Sequence, residues 1–330
     1  MREFGYQRAH DVSGALALLD ADPEARFLGG GTNLVDLMKT GVERPARLVD
    51  LRGLPLDRIE RAEDGTLRIG ATVSNSALAA HPEVRLRYPA LTQAVVAGAS
   101  GQLRNMATVG GNLLQRTRCG YFTDVTQPCN KRAPGTGCPA VKGEHHNAAI
   151  LGASEHCVAV HPSDLAVALT AFDALVTYET TEGAGELPLA DLYLAPGSTP
   201  HLETALPTGA LITGVALPPT PVAALSRYRK VRERASYAFA IGSVAAALEI
   251  EAGAVRDVRL ALGAVASRPW RASAAERVLR GAPATADSFA AAADAELAAA
   301  VPLPHNGYKV TLMRNLVVAV LTELAEEAAR

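Results

Sequence analysis

The sequence predicts an α/β (α+β) protein of two domains, on three observations. Strand-like and helix-like segments alternate through the first fifty residues, the pattern of a small α/β unit. A proline-rich break, Leu217-Pro218-Pro219-Thr220-Pro221, interrupts the chain late in its course. The composition, 48% hydrophobic and 20% charged over 330 residues, supplies core material for two domains of ordinary size.

The elements follow in order. A strand opens the chain, then come a helix over 12–19, a strand over 26–28, a helix over 34–39 and a strand over 47–51. Alternation in Leu67-Arg68-Ile69-Gly70-Ala71 marks another strand, a short helix follows Ser74, and 89–99 is compatible with a helix. Segments 154–160 and 173–179 read as strands flanking a helix over 163–171, for which Ser163-Asp164 offers the cap. Beyond the proline break lie a strand candidate at 227–231, apolar segments at 238–250 and 258–264, and amphipathic helices over 284–301 and 309–329. The expected organisation is therefore 1–220, containing an irregular cysteine-rich loop over 115–160, and a separate α/β domain over 221–330.

Charge and hydropathy remove several function classes. Thirty-two basic residues face 34 acidic ones, with no basic excess or stripe, which argues against a nucleic-acid partner. No stretch approaches the roughly 18 apolar residues of a membrane span; the longest, at 238–247, is broken by Gly242 and Ser243. The start, Met1-Arg2-Glu3-Phe4-Gly5-Tyr6, lacks a secretory pattern. The expectation is a soluble chain without its own export signal, cytoplasmic, or periplasmic if it travels folded with a signal-bearing partner.

Two glycine-rich turns stand out. Arg26-Phe27-Leu28-Gly29-Gly30-Gly31-Thr32-Asn33-Leu34 runs from a strand end through three glycines into a helix-compatible segment. Consecutive glycines are costly in chain entropy unless the backbone must approach something closely or adopt positive φ. Amides at such a turn make an anion nest suited to a pyrophosphate. The pattern matches neither a Rossmann fingerprint nor a P-loop, and a plain tight turn is the other reading. The second turn, Asn105-Met106-Ala107-Thr108-Val109-Gly110-Gly111-Asn112, is similar in character and open to the same two readings.

All four cysteines, Cys119, Cys129, Cys138 and Cys157, fall in one loop rich in Pro, Gly, Asn and Thr. Ordinary free thiols, a pair of disulfides and a soft-metal centre are the three possibilities. The spacing Cys119-x9-Cys129-x8-Cys138-x18-Cys157 lacks the tight pairs of zinc sites. Four-thiolate iron–sulfur clusters accept wider spacing, although this is no ferredoxin pattern either. Clustering favours a metal centre of open identity, and His145, His146, His156 and His161 are nearby alternative ligands.

The ordered set GGGTNLVDLMK, NMATVGGNL, HPSDLAVAL and RYRKVRERASYAFA resembles the FAD-binding (medium) subunits of xanthine dehydrogenase and carbon monoxide dehydrogenase type molybdenum hydroxylases. The four-cysteine insertion resembles that of the flavoprotein subunits of periplasmic aldehyde oxidoreductases, in which it holds a 4Fe–4S cluster. The resemblance spans the whole chain. It implies a vanillyl-alcohol-oxidase-type FAD domain of two subdomains, followed by the carbon monoxide dehydrogenase flavoprotein-type C-terminal domain. It implies that Arg26, Phe27, Leu28, Gly29, Gly30, Gly31, Thr32, Asn33 and Leu34 cradle FAD. Thr108, Gly110, Gly111 and Asn112 would complete the grip, with their N–H and side-chain dipoles facing the same anion. Asp164 would lie near the ribityl chain or cap its helix, Lys230 beside the isoalloxazine and Tyr237 against it. Cys119, Cys129, Cys138 and Cys157 would hold the cluster.

The resemblance further implies two partners, a large molybdopterin-binding subunit and a small 2Fe–2S subunit in a heterotrimer, and an external electron acceptor. No catalytic residue is expected in this chain. The competing expectations are a stand-alone flavin oxidase or dehydrogenase of the same fold, and a zinc-binding structural or assembly protein.

Overall fold

The computed structural model describes residues 1–330. Its first unit is a three-stranded parallel sheet in the order β1–β3–β2, with β1 at Gly5–Arg8, β2 at Ala25–Leu28 and β3 at Arg47–Asp50. Helix α1, Val12–Asp20, is capped by the Asp11 carboxylate on Gly14 N–H, and α2 spans Leu34–Thr40. Gly41, at φ 78°, ends α2 in the left-handed conformation that glycine adopts without strain. Parallel pairing aligns Leu28 with Asp50, so β2 delivers the three glycines at the carboxyl edge of the sheet.

The second unit is a five-stranded sheet, β4–β5–β8–β6–β7, in which every neighbouring pair is antiparallel. Its strands are β4 (Ile59–Arg61), β5 (Leu67–Gly70), β6 (Leu175–Thr180), β7 (Gly183–Pro188) and β8 (Leu211–Leu217). Between β5 and β6 the chain forms α3 (Asn75–Ala80), α4 (Pro82–Arg87), α5 (Pro89–Ala97), α6 (Gly101–Met106), α7 (Val109–Leu113), α8 (Gly120–Thr123) and α9 (Asp164–Ala171). Short α10, Leu189–Leu192, follows β7. Every residue of α9 is buried, as its apolar sequence requires of a helix packed on all sides.

The third unit is an antiparallel sheet, β12–β11–β10–β9, formed by β9 (Ser226–Val231), β10 (Gly242–Glu251), β11 (Ala254–Gly263) and β12 (Trp270–Arg271). Helices α11 (Ser273–Leu279), α12 (Ala286–Leu297) and α13 (Tyr308–Ala328) cover one face. Side chains alternate along β10: Val244, Ala246 and Leu248 enter the core under these helices, whereas Ala245 and Ala247 join the core that contains α5 and α9. Burial on both faces explains why this strand reads as an unbroken apolar run. The segment over 221–330, expected as a separate domain, thus shares a core with the helices that precede it. The far face of the third sheet is completed by helices from before the proline break, and Ser226 Oγ accepts from Ala90 N–H at 3.1 Å.

Two expectations are revised. Segment 154–160 is not a strand; Ser154 and Cys157 pair only with each other across a turn. The apolar stretch from 238 becomes a strand only at Gly242, because the preceding residues, among them Phe239 at 50% exposure, border a cleft instead. No helix is long and apolar enough to cross a membrane.

Candidate cofactor cleft and cysteine cavity

The two glycine-rich turns meet. Thr108 caps α7 by accepting from Gly111 N–H, and Val109 N–H donates to Val73 O at 3.0 Å, which fixes the second turn on the segment after β5. The first turn lies directly on it. A Cβ added to Gly30 would stand 1.7 Å from the Met106 carbonyl oxygen, and one on Gly29 would stand 2.7 Å from Thr108 Oγ1. Gly31 adopts φ 76°. Glycine at position 30 is therefore imposed by close approach of two chain segments rather than by the space a ligand needs.

The turns differ in what they present. The N–H groups of Gly30, Gly31, Thr32 and Asn33 have no acceptor within the chain. Asn33 Oδ1 accepts from Arg116 N–H at 2.9 Å, while its Nδ2 is buried without a partner. In the second turn, Gly110 N–H donates to Ala71 O at 2.9 Å, and the Gly111 and Asn112 amides are held by Thr108. The amides of Gly110, Gly111 and Asn112 are thus already engaged internally, and the second turn keeps only the Thr108 N–H without an acceptor.

Beside the turns opens a cleft of about 940 Å³, within the range of small-molecule sites. Thr32, Asn33, Gly111, Asn112, Asp164, Lys230 and Tyr237 line it. Arg26, Phe27, Leu28, Gly29, Gly30, Gly31, Leu34, Thr108 and Gly110 stand behind these as framework. Arg26 donates to the carbonyls of Pro23 and Ala25, and Phe27 packs on the core of the first unit. Tyr237, at φ 52° and 56% exposed, sits at the mouth with Arg234 over its ring.

Asp164 and Lys230 form one device. Ser163 provides the cap of α9 through Ala166 N–H at 2.9 Å and donates to Asn112 Oδ1 at 2.6 Å. The Asp164 carboxylate is left to accept from Lys230 Nζ at 2.8 Å and from the Tyr228 hydroxyl. Tyr228 and Lys230 alternate along β9, so both point the same way. Lys230, with a side chain only 3% exposed, also donates to Ala97 O, and is no solvated surface lysine. Burial and the adjacent Asp164 charge raise the Tyr228 phenol well above its usual range. Sequence reasoning omitted Tyr228; its spacing of two from Lys230 in a strand was the available signal.

The four cysteines converge on a second, smaller cavity, with Lys131, His156 and Phe122 among its other walls. None is in a disulfide. No three of the His, Cys, Asp and Glu side chains are gathered in this structure as a group around one metal-ion position. Burial raises the thiols of Cys119, Cys138 and Cys157, with the Lys131 charge opposing this at Cys157.

Side chains order the loop. Cys129 N–H donates to Thr136 Oγ1, Gly137 N–H to Asn130 Oδ1, and Arg132 to the carbonyls of Tyr121 and Phe122. Of the four nearby histidines only His156 reaches this cavity. His145 stacks on His305, His146 is held by Glu144 and Glu233, and His161 lines the cleft, where burial lowers its pKa to about 3. Thr117, Cys119, Tyr121, Ala140 and Ala159 border both cavities, which therefore share a wall.

Comparison with known proteins places this geometry in a family. Residues 2–220 match the FAD binding domain in molybdopterin dehydrogenase, and residues 226–324 match the CO dehydrogenase flavoprotein C-terminal domain. The chain is 49% identical over 330 residues to the aldehyde oxidoreductase FAD-binding subunit PaoB of Escherichia coli, covering 99% of this chain and 100% of that one. It is 25% identical to the putative xanthine dehydrogenase FAD-binding subunit XdhB of the same organism, over 98% of this chain and 96% of the other. Among solved structures, carbon monoxide dehydrogenase from Hydrogenophaga pseudoflava superimposes with a TM-score of 0.76 at 25% identity, covering 97% of this chain and 96% of that one.

Proposed function

The chain belongs to the FAD-binding subunits of the molybdenum hydroxylases, and from that premise we propose that it is the electron-transfer subunit of an aldehyde oxidoreductase. In this reading the aldehyde is oxidised in a large molybdopterin-binding partner. This chain takes electrons from a small 2Fe–2S partner and passes them to an external acceptor. The observation that carries the reading is 49% identity across the full length of an aldehyde oxidoreductase FAD-binding subunit.

The residues present fit FAD. When bound, FAD supplies a centre that takes up and releases electrons singly or in pairs. The unpartnered amides of Thr32 and Asn33, which line the cleft at the entrance to α2, with those of Gly30 and Gly31 just behind them, are the donors available to its pyrophosphate. The orphaned Asn33 Nδ2 adds a donor. Lys230 and Asp164 offer the cleft a paired cation and anion rather than a free base. No nucleophile–base pair is needed, because this chain moves electrons and not acyl or phosphoryl groups.

We further propose that Cys119, Cys129, Cys138 and Cys157 hold a 4Fe–4S cluster. Four free thiols lining one cavity supply the ligand number and type that such a cluster takes.

The test is anaerobic addition of an aldehyde to the intact complex and to the isolated, FAD-loaded chain. Bleaching of the flavin band in the complex, with none in the isolated chain, is the expected result. Bleaching in the isolated chain would make it a dehydrogenase in its own right and overturn the subunit reading.

A further inference from the structure

The cysteine cavity is electrically one-sided. No carboxylate lines it, and Lys131 contributes the only ammonium or guanidinium among its walls. The Lys131 side chain is 9% exposed, so this charge is held in the protein rather than in water. Its Nζ is fixed by donation to Pro200 O at 3.0 Å and lies 3.6 Å from Glu203 Oε1. That carboxylate oxygen is held more closely by Arg116, at 2.9 and 2.6 Å, and Arg116 also reaches Glu43 at 2.6 Å. The anionic partner of Lys131 is therefore drawn away toward Arg116, leaving the lysine as the charge nearest the cavity.

We propose that Lys131 raises the reduction potential of the cluster held by the four cysteines. The proposal rests on the cluster reading above. A cluster bound by four thiolates carries net negative charge, and one-electron reduction adds another. A fixed cation at its wall stabilises the reduced form more than the oxidised form, and net charge is among the main determinants of cluster potential. Glu203 tempers the effect, so removing the carboxylate and removing the ammonium act in opposite directions.

The experiment is an anaerobic dithionite titration of the intact complex, with the reduced 4Fe–4S signal followed by electron paramagnetic resonance and iron and flavin measured in each sample. At the potential where the native cluster is half reduced, Lys131→Met lowers the reduced-to-oxidised ratio about tenfold, which is 59 mV for one electron. Lys131→Arg keeps the native ratio, and Glu203→Gln raises it. A purely structural lysine would not yield shifts of opposite sign in the two partners. An unshifted ratio in iron-replete Lys131→Met overturns the proposal. If that variant loses iron, an unshifted Glu203→Gln overturns it instead. A native complex without the 4Fe–4S signal and its iron would overturn the cluster reading itself, and is thus distinguishable from failure of the charge argument.

Discussion

Gly30 shows how one residue carries two requirements. Its missing side chain lets the first glycine turn rest on the Met106 carbonyl, and its amide is left without an acceptor in the chain. Gly30→Val would force the turns apart, so the purified variant should contain almost no FAD and melt at lower temperature. A native flavin-to-protein ratio in that variant would contradict this placement of the cofactor. The Asp164–Lys230 pair makes a second claim. Because both side chains are nearly inaccessible, Asp164→Asn leaves an ammonium buried beside a neutral amide, a loss on the order of 3–5 kcal/mol. Lys230→Met alone strands the carboxylate at similar cost, whereas the double replacement should recover part of the loss. Thermal unfolding of the four species measures this coupling, and strict additivity would show that the pair is not a unit. The motifs marked both residues but not their contact, since pairing a helix start with a strand 66 residues away depends on packing.

At the scale of elements, the first unit was legible almost to the residue. The turn chemistry at Asp11, Gly29–Gly31 and Gly41 coincides with the change from period-two to helical patterning. Elements such as β7, with its sequence Gly-Ala-Gly-Glu-Leu-Pro, and α7, with two adjacent glycines, were not legible. Their intrinsic propensities oppose the state they adopt, and a sheet neighbour or the Thr108 cap decides it. The cysteine loop falls between these cases. Its composition marks an ordered irregular segment, but the hydrogen bonds that gather four distant cysteines cannot be read from spacing. Cys129→Ser should therefore remove iron while leaving FAD bound, because the glycine turns and the Asp164 device lie outside the loop. Loss of both cofactors together would mean that the shared wall makes the two sites one folding unit.

For the whole molecule, the consequence of two-sided burial in the third sheet is indivisibility. Ala245, Ala247 and Ala261 are fully buried against helices that belong to the first 220 residues. A fragment of residues 221–330 would expose that face, and should be aggregated or poorly protected in hydrogen exchange rather than independently folded. A cooperatively unfolding fragment would contradict this dependence on the shared core. The same packing sets the cleft and brings the cysteine cavity against it, so the cofactor proposed for each would have the other as a neighbour. The most direct measurement is the visible absorption spectrum, with iron and flavin analysis, of the complex purified intact without oxygen. Flavin bands over a broad iron–sulfur shoulder, with about four irons per FAD beyond those of the 2Fe–2S partner, are expected. A flavin spectrum without the additional iron would contradict the cluster, and a complex lacking flavin would contradict the account at its root.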